Sequence, residues 1–178
     1  MRLRAATAPD GDLTAELLWR QDLDQQVRLL PREDRTPGAL ERWKRIDLDN
    51  RLWLEQLVEE RGWPGISENG ERAAAALWLL AQHRDAVPDF QRRCRDLLAD
   101  AVLAAGEADP RHGALLEDRL CVAEGRPQIF GTQLVTDEAG GLSPAPVLDG
   151  ERLEQRRSEV GLEPMRDYLR SCRATAAG

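Results

Sequence analysis

Apolar residues recur at helical spacing along most of the chain. Leu13, Leu17, Leu18, Leu23, Val27 and Leu30 form a first stripe, which Asp10 or Asp12 can cap and Pro31 ends. A loop holding Pro31 and Pro37 leads to a second helix from Gly38 to Arg61, closed by Gly62 in the C′ position. Trp63-Pro64-Gly65 forces a turn. The third helix, Glu71 to Arg84 with Asn69 as its cap, is apolar almost all round through Ala73 to Ala81, which assigns it to the middle of the protein. Val87-Pro88-Asp89 starts a fourth helix whose stripe of Phe90, Cys94, Leu97, Leu98, Ala101, Val102 and Ala105 ends at Gly106. Asp109-Pro110 repeats that start, and the fifth helix runs to Glu124 before Gly125.

After Gly125 the pattern changes. Gln128 to Val135 has strand-like composition, Asp137 to Gly141 is turn-rich, and Leu142 to Leu148 holds two prolines, so one short hairpin is expected there. Residues 151–159 and 164–174 read as two closing helices, split by Gly161 and restarted by Pro164. Residues 1–12 lack periodicity and read as a flexible N-terminal arm. The predicted fold is mainly α: a single-domain helical bundle over residues 13–178 with one small β-hairpin, and no repeat within it.

Composition narrows the function classes. The chain of 178 residues carries 25 basic and 32 acidic residues for a net charge of −7, and Lys44 is its one lysine. That balance disfavours a surface that tracks phosphates, so no nucleic-acid partner is expected. No apolar run is long enough to span a bilayer and the N-terminus lacks an apolar leader, so a protein of the cytoplasm without a membrane partner is expected. Cys94, Cys121 and Cys172 have no paired spacing, which leaves neither a disulfide framework nor a zinc knuckle to read.

The periodicity also places polar groups where core residues belong. On the second helix Trp43, Ile46, Trp53, Leu54 and Leu57 define the buried stripe, and Asp47 and Asn50 fall within it. The third helix ends its apolar rows in Gln82 and His83, and on the fifth Leu115 and Val122 bracket Asp118, with Arg119 adjacent. A buried carboxylate or amide costs several kcal/mol unless partnered, so these groups must satisfy one another or a ligand. One outcome is a hydrogen-bonded network that fixes helix register, with Asp118 or Asp47 paired to Arg119; the other is a polar pocket at one end of the bundle. His83 lies at a helix C-terminus with Asp85 close by, a setting that suits an acid or an electrostatic clamp. His112, in its Asp-Pro-Arg-His-Gly turn, reads as solvated. His83 and Asp85, with Asp47 and Asp118, have the chemistry of metal ligands, but no paired histidine or Glu-x-x-His spacing anchors an ion, so no metal is expected.

In Gly125-Arg126-Pro127-Gln128-Ile129-Phe130-Gly131-Thr132-Gln133, strand alternation sets Ile129, Gly131 and Gln133 on one face and Gln128, Phe130 and Thr132 on the other. Gln128 and Gln133 can there read a polar ligand, or satisfy backbone at a bulge or edge. No glycine-rich nucleotide motif occurs, so no organic cofactor is expected, and Ser67, Cys121 and Thr132 have no readable activating partner.

Taken together, Asp47-x-x-Asn50, Gly62-Trp63-Pro64, Trp78 with Gln82-His83-x-Asp85, Phe90-Gln91, Asp118-Arg119 and the Gly125 to Gln133 stretch resemble a bacterial domain-of-unknown-function family. Arg156-Arg157, Gly161-Leu162 and Tyr168-Leu169 are similar to the same family's ending, so the likeness spans Ile46 to Leu169. The resemblance implies that Asp47, Asn50, Gln82, His83, Asp85, Asp118, Arg119, Gln128 and Gln133 belong to the family's motif; it carries no established activity. Arg84 stands where the family usually has a small residue, and Phe130 where tyrosine is usual.

The expected function is a small enzyme performing acid–base chemistry, hydrolysis, elimination or cyclisation, on a polar small molecule. His83 protonates or clamps the substrate, Asp118 or Asp47 serves as base or orienting partner with Asp85 nearby, and Asn50, Gln82, Arg119, Gln128 and Gln133 hold substrate. The alternative is a non-catalytic small-molecule-binding or protein-interaction domain. Convergence predicts that His83 reaches at least one of Asp47, Asp85 and Asp118 beside a solvent-reachable cavity.

Overall fold

The computed structural model describes residues 12–176 apart from Ala86, Ala105 and Ala139. The arm expected over residues 1–12 thus lies outside the described residues except for Asp12, and so does the place of Ala105 in the fourth stripe. The architecture is mainly α with one two-stranded antiparallel hairpin among the described residues. The chain divides into two compact units, residues 1–108 and 109–178.

The first unit holds α1 (Leu13–Arg28), α2 (Pro37–Arg61), α3 (Ile66–Gln82) and α4 (Pro88–Leu103). Asp12 caps α1 through its carboxylate, Thr36 caps α2 ahead of Pro37, and Gly62 ends α2 at φ 70°. Gly70 breaks the regularity of α3 at φ 77°, so the uninterrupted helix starts at Glu71, where periodicity put it. Asn69, expected as its cap, instead has its Oδ1 accepting from Thr14 Oγ1 and its Nδ2 donating to the Gly65 carbonyl. From Ala73 onward α3 packs against α1, α2 and α4, and Ala73, Ala76, Leu77, Leu80 and Ala81 are buried with Leu17, Val27, Leu54, Val58, Cys94 and Leu98. The stripe expected on α2 is shifted: Leu54, Leu57, Val58 and Asn50 are buried, whereas Trp43, Ile46 and Trp53 are half-buried.

The second unit holds α5 (Pro110–Ala123), β1 (Leu134–Thr136), β2 (Leu142–Pro144), α6 (Leu153–Glu159) and α7 (Met165–Ala176). In the hairpin Leu134 pairs with Pro144 and Thr136 with Leu142, and the Asp137 carboxylate closes the turn by accepting from the Gly141 amide. Two expectations are corrected here. The buried face of α5 is Ala114, Leu116, Asp118, Leu120 and Cys121, with Val122 exposed and Leu115 half-buried, so those two do not define the stripe. Residues 128–133 form no strand: Gln128 makes an isolated parallel bridge to Val147, and beyond it side chains take the amide hydrogens of Ile129, Phe130, Thr132 and Gln133.

Gly131 occupies φ 71°, and a Cβ on it would run into the end of Met165. Gly131→Ala is expected to cost about 1–2 kcal/mol through the left-handed backbone, with the flexible methionine yielding more cheaply. The measurement is the urea midpoint at unchanged slope; an unchanged midpoint would refute the constraint.

Candidate functional site

Glu16, Arg20, Asp24 and Arg28 follow one another at i+4, so they share the face of α1 that carries Leu17 and Val27 into the core. Arg20 donates to Glu16 Oε1 at 2.7 Å and crosses to α2, where it reaches Asp49 Oδ2 at 2.8 Å and Asn50 Oδ1 at 2.9 Å. Its guanidinium also lies 4.5 Å from the centre of the Trp53 ring. Arg28 donates to Asp24 Oδ1 at 2.9 Å and to Asp47 Oδ1 at 2.8 Å, again linking α1 to α2.

Asp24 is the most enclosed member of this row, with no side-chain exposure. Besides Arg28 it accepts from Gln25 Nε2 at 3.1 Å and meets Nδ1 of His83 at 2.8 Å. Burial pushes the Asp24 carboxyl upward, but hydrogen bonding and charge from His83, then charge and hydrogen bonding from Arg28, outweigh it and hold the group below its ordinary value. An ionised carboxylate only accepts, so Nδ1 of His83 carries the hydrogen and donates it. The ring keeps 13% exposure, and Nε2 has no hydrogen-bonded partner among the described residues.

This pairing corrects the sequence expectation, which offered Asp47, Asp85 or Asp118 as the partner. Asp47 instead takes Arg28 on its carboxylate, together with Arg84 Nη2 at 3.4 Å, while its backbone carbonyl accepts from Arg84 Nη1 at 2.5 Å. Arg84 is buried and also donates to the Leu80 carbonyl. Asp85 is exposed and accepts from Gln91 Nε2 at 3.1 Å, and the same buried amide donates to the Gln82 carbonyl at 2.8 Å. Gln82 itself is half-buried at the end of α3.

In the second unit Asp118 has a different employment. Its buried carboxylate accepts three backbone amides, Ile129 at 2.7 Å and Phe130 at 2.9 Å on Oδ1 and Thr132 at 2.8 Å on Oδ2. A carboxylate so occupied shapes the loop rather than acting as a base. Gln128 is likewise consumed: Nε2 donates to the Gln133 and Ala145 carbonyls, and Oε1 accepts from the Gln133 amide. The backbone-satisfying alternative thus describes Gln128, and the ligand-reading one does not. The Gln133 side chain donates to Thr132 Oγ1 at 3.2 Å, and Arg119 is half-buried on α5. Arg157, fully buried, donates to the Phe130 and Glu163 carbonyls beneath Tyr168, whose hydroxyl donates to the Thr132 carbonyl.

The two buried cysteines are poor nucleophiles. Burial, then the nearby Glu117 charge, pushes the Cys121 thiol up to about 11, and burial pushes Cys94 to about 12, which keeps both protonated. Among the described residues no three His, Cys, Asp or Glu side chains gather as metal ligands. No helix there is long and apolar enough to cross a membrane. His112 is half-buried rather than solvated, and that burial lowers its pKa.

The residues that sequence reasoning missed are Asp24 and its arginine neighbours. Their signal was present, as the alternating charges Glu16, Arg20, Asp24 and Arg28 at i+4 share a face with core leucine and valine. Against known proteins, the profile of DUF6624, a family of unknown function, matches residues 11–177. No curated protein and no solved structure gives a match.

Two outcomes test this geometry. Asp24→Asn should cost about 3 kcal/mol near neutral pH, because it strands Arg28 and the His83 donor. As the Asp24 carboxyl is held low in the fold, its contribution is complete above the ordinary carboxylate range and disappears as pH falls through the lowered value. The gap between wild type and Asp24→Asn in urea unfolding should therefore close below about pH 4; a gap independent of pH would refute the pairing. Asp118→Asn should cost about 1–3 kcal/mol, since its amide nitrogen would oppose one or more of the three donors; differential scanning calorimetry measures the loss.

Proposed function

We propose an enzymatic role for this chain, which belongs to DUF6624, a family of unknown function: acid–base catalysis on a polar small molecule, with His83 as the proton carrier. One observation carries the reading, the 2.8 Å bond from His83 Nδ1 to a wholly buried Asp24 carboxylate that Arg28 keeps in place. Such a partner fixes the tautomer that leaves the Nε2 lone pair for a substrate and stabilises the imidazolium that forms when Nε2 takes a proton.

For a hydrolysis the steps balance as follows. Nε2 accepts a proton from water as its oxygen bonds to the electrophilic carbon, and the imidazolium then returns that proton to the leaving group as the bond to carbon breaks. Asp24 stays a carboxylate throughout. In an elimination the same nitrogen takes a proton from the carbon beside the leaving group and gives it to that group as its bond breaks; in a cyclisation it takes the proton of the attacking heteroatom as the ring bond forms and gives it to the group displaced from the attacked carbon. Asp47, bound by Arg28 and Arg84, is a positioning residue, since it holds the guanidinium that holds Asp24.

The test is a substrate panel of esters, amides, lactones and β-substituted acids, assayed on wild type, His83→Gln, Asp24→Asn and His112→Gln. Loss of about a hundredfold or more in kcat for His83→Gln is expected. Asp24→Asn should lower kcat and distort its pH profile, and His112→Gln should change neither. Long-range proton–nitrogen spectra should show His83 protonated on Nδ1 when neutral. Turnover unaffected by His83→Gln, or the opposite tautomer, would overturn the reading in favour of the non-catalytic binding or interaction role.

A further inference from the structure

Beside the charged seam between α1 and α2 lies a cavity of about 270 Å³, and we propose that it binds a small monocarboxylic acid with an apolar body. The inference does not rest on proton transfer by His83. It rests on three features of the lining.

The walls are apolar: Trp19 and Leu23 from α1, and Ile46 from α2. Two guanidinium groups, Arg42 and Arg45, share the same lining. Arg42 donates to the neutral amide of Gln26 at 3.3 Å. Among the described residues neither is ion-paired, whereas Arg20, Arg28, Arg61 and Arg84 of the same unit each hold a carboxylate. In a chain with an excess of acidic residues, two arginines that form no direct ion pair, although the Arg45 charge acts on Glu41, leave a net positive lining that favours an anion.

The third feature is Asn50, which also lines the cavity and is 1% exposed. Its Oδ1 is fixed by Arg20, which orients the amide, and its Nδ2 has no hydrogen-bond partner. This donor is closed off from solvent, so a ligand oxygen in the cavity would satisfy it only after a small shift of the lining side chains. A carboxylate supplies both requirements, an acceptor for Asn50 and a negative charge for the arginines, while its apolar part rests on Trp19. Asp49, also in the lining and already bound to Arg20, opposes a second negative charge and so favours a monoanion over a phosphate ester. The volume lies just under that of sites for drug-sized ligands, which limits the guest to about the size of an amino acid or arylpropionic acid.

The probe is 3-phenylpropionate, titrated into the full chain and followed by calorimetry and by the proton–nitrogen signals of the Asn50 side-chain amide and the Trp19 indole. Saturable binding that moves both signals is expected. 3-Phenylpropionamide and phenyl phosphate should bind about tenfold or more weakly. Arg45→Gln, at an exposed side chain, should weaken 3-phenylpropionate by a similar factor with an unchanged melting temperature, and Asn50→Leu should do so where it folds. His83→Gln should leave the affinity unchanged, so that this inference and the proton-transfer reading fail separately. The proposal is overturned by no saturation at about 10 mM acid, by equal binding of the amide, by indifference to Arg45→Gln, or by loss of binding in His83→Gln.

Discussion

A carboxylate with no access to water, Asp24, must be held by groups from its own helix and from outside it, and the first unit is arranged around that requirement. Arg28 supplies one hydrogen bond from the next turn of α1 and His83 another from the end of α3. Because Arg28 also grips Asp47, and Arg20 one turn earlier grips Asp49 and Asn50, α2 is tied to α1 at two levels. Sliding either helix by a turn would leave several charges buried without partners, each costing more than the apolar contacts nearby could return. The row therefore specifies register more than it adds stability, while the bulk of the driving force comes from the leucines and alanines of α3 and their neighbours.

The second unit solves a related problem with backbone as the partner. After the single bridge at Gln128, residues 129–133 run without a ladder, and the segment is held in shape by Asp118 and Gln128, whose side chains accept four of its amides. Arg157 collects carbonyls from the same loop and from Glu163. A side chain that serves several peptide groups at once allows an irregular segment to be buried without a ladder.

The same physics explains what the sequence revealed. Helix positions were legible because capping residues, prolines and glycines mark each boundary and because apolar spacing is a property of each segment alone. The inward placement of Asn50, His83 and Asp118 was legible for the same reason. Partners were not, since Asp24 lies 59 residues from His83 and only the packing of α1 on α3 brings them together. Residues 128–133 misled for a local reason: their composition suits a strand, but composition does not say which acceptor takes the amides. Arg157 and Tyr168, part of the family-like ending in sequence, are braces of that loop.

In a fold that satisfies most of its buried polar atoms internally, the chemically informative groups are those with unspent valence. Three buried donors illustrate the distinction: Asn50 Nδ2, Trp63 Nε1 and Arg157 Nη2 have no acceptor. Arg157 already donates to two carbonyls. Trp63 lies on an open groove whose charged side chains, Glu68, Asp100 and Glu107, are all acidic, so no cation accompanies it there. Asn50 alone of the three combines an orphan donor with apolar walls and two arginines that form no direct ion pair. His83 is the complementary case, one ring nitrogen committed to Asp24 and the other uncommitted. The two readings thus follow from one principle applied to different atoms: a donor that lacks an acceptor calls for a ligand, and a lone pair held in place by an ionised partner calls for a proton.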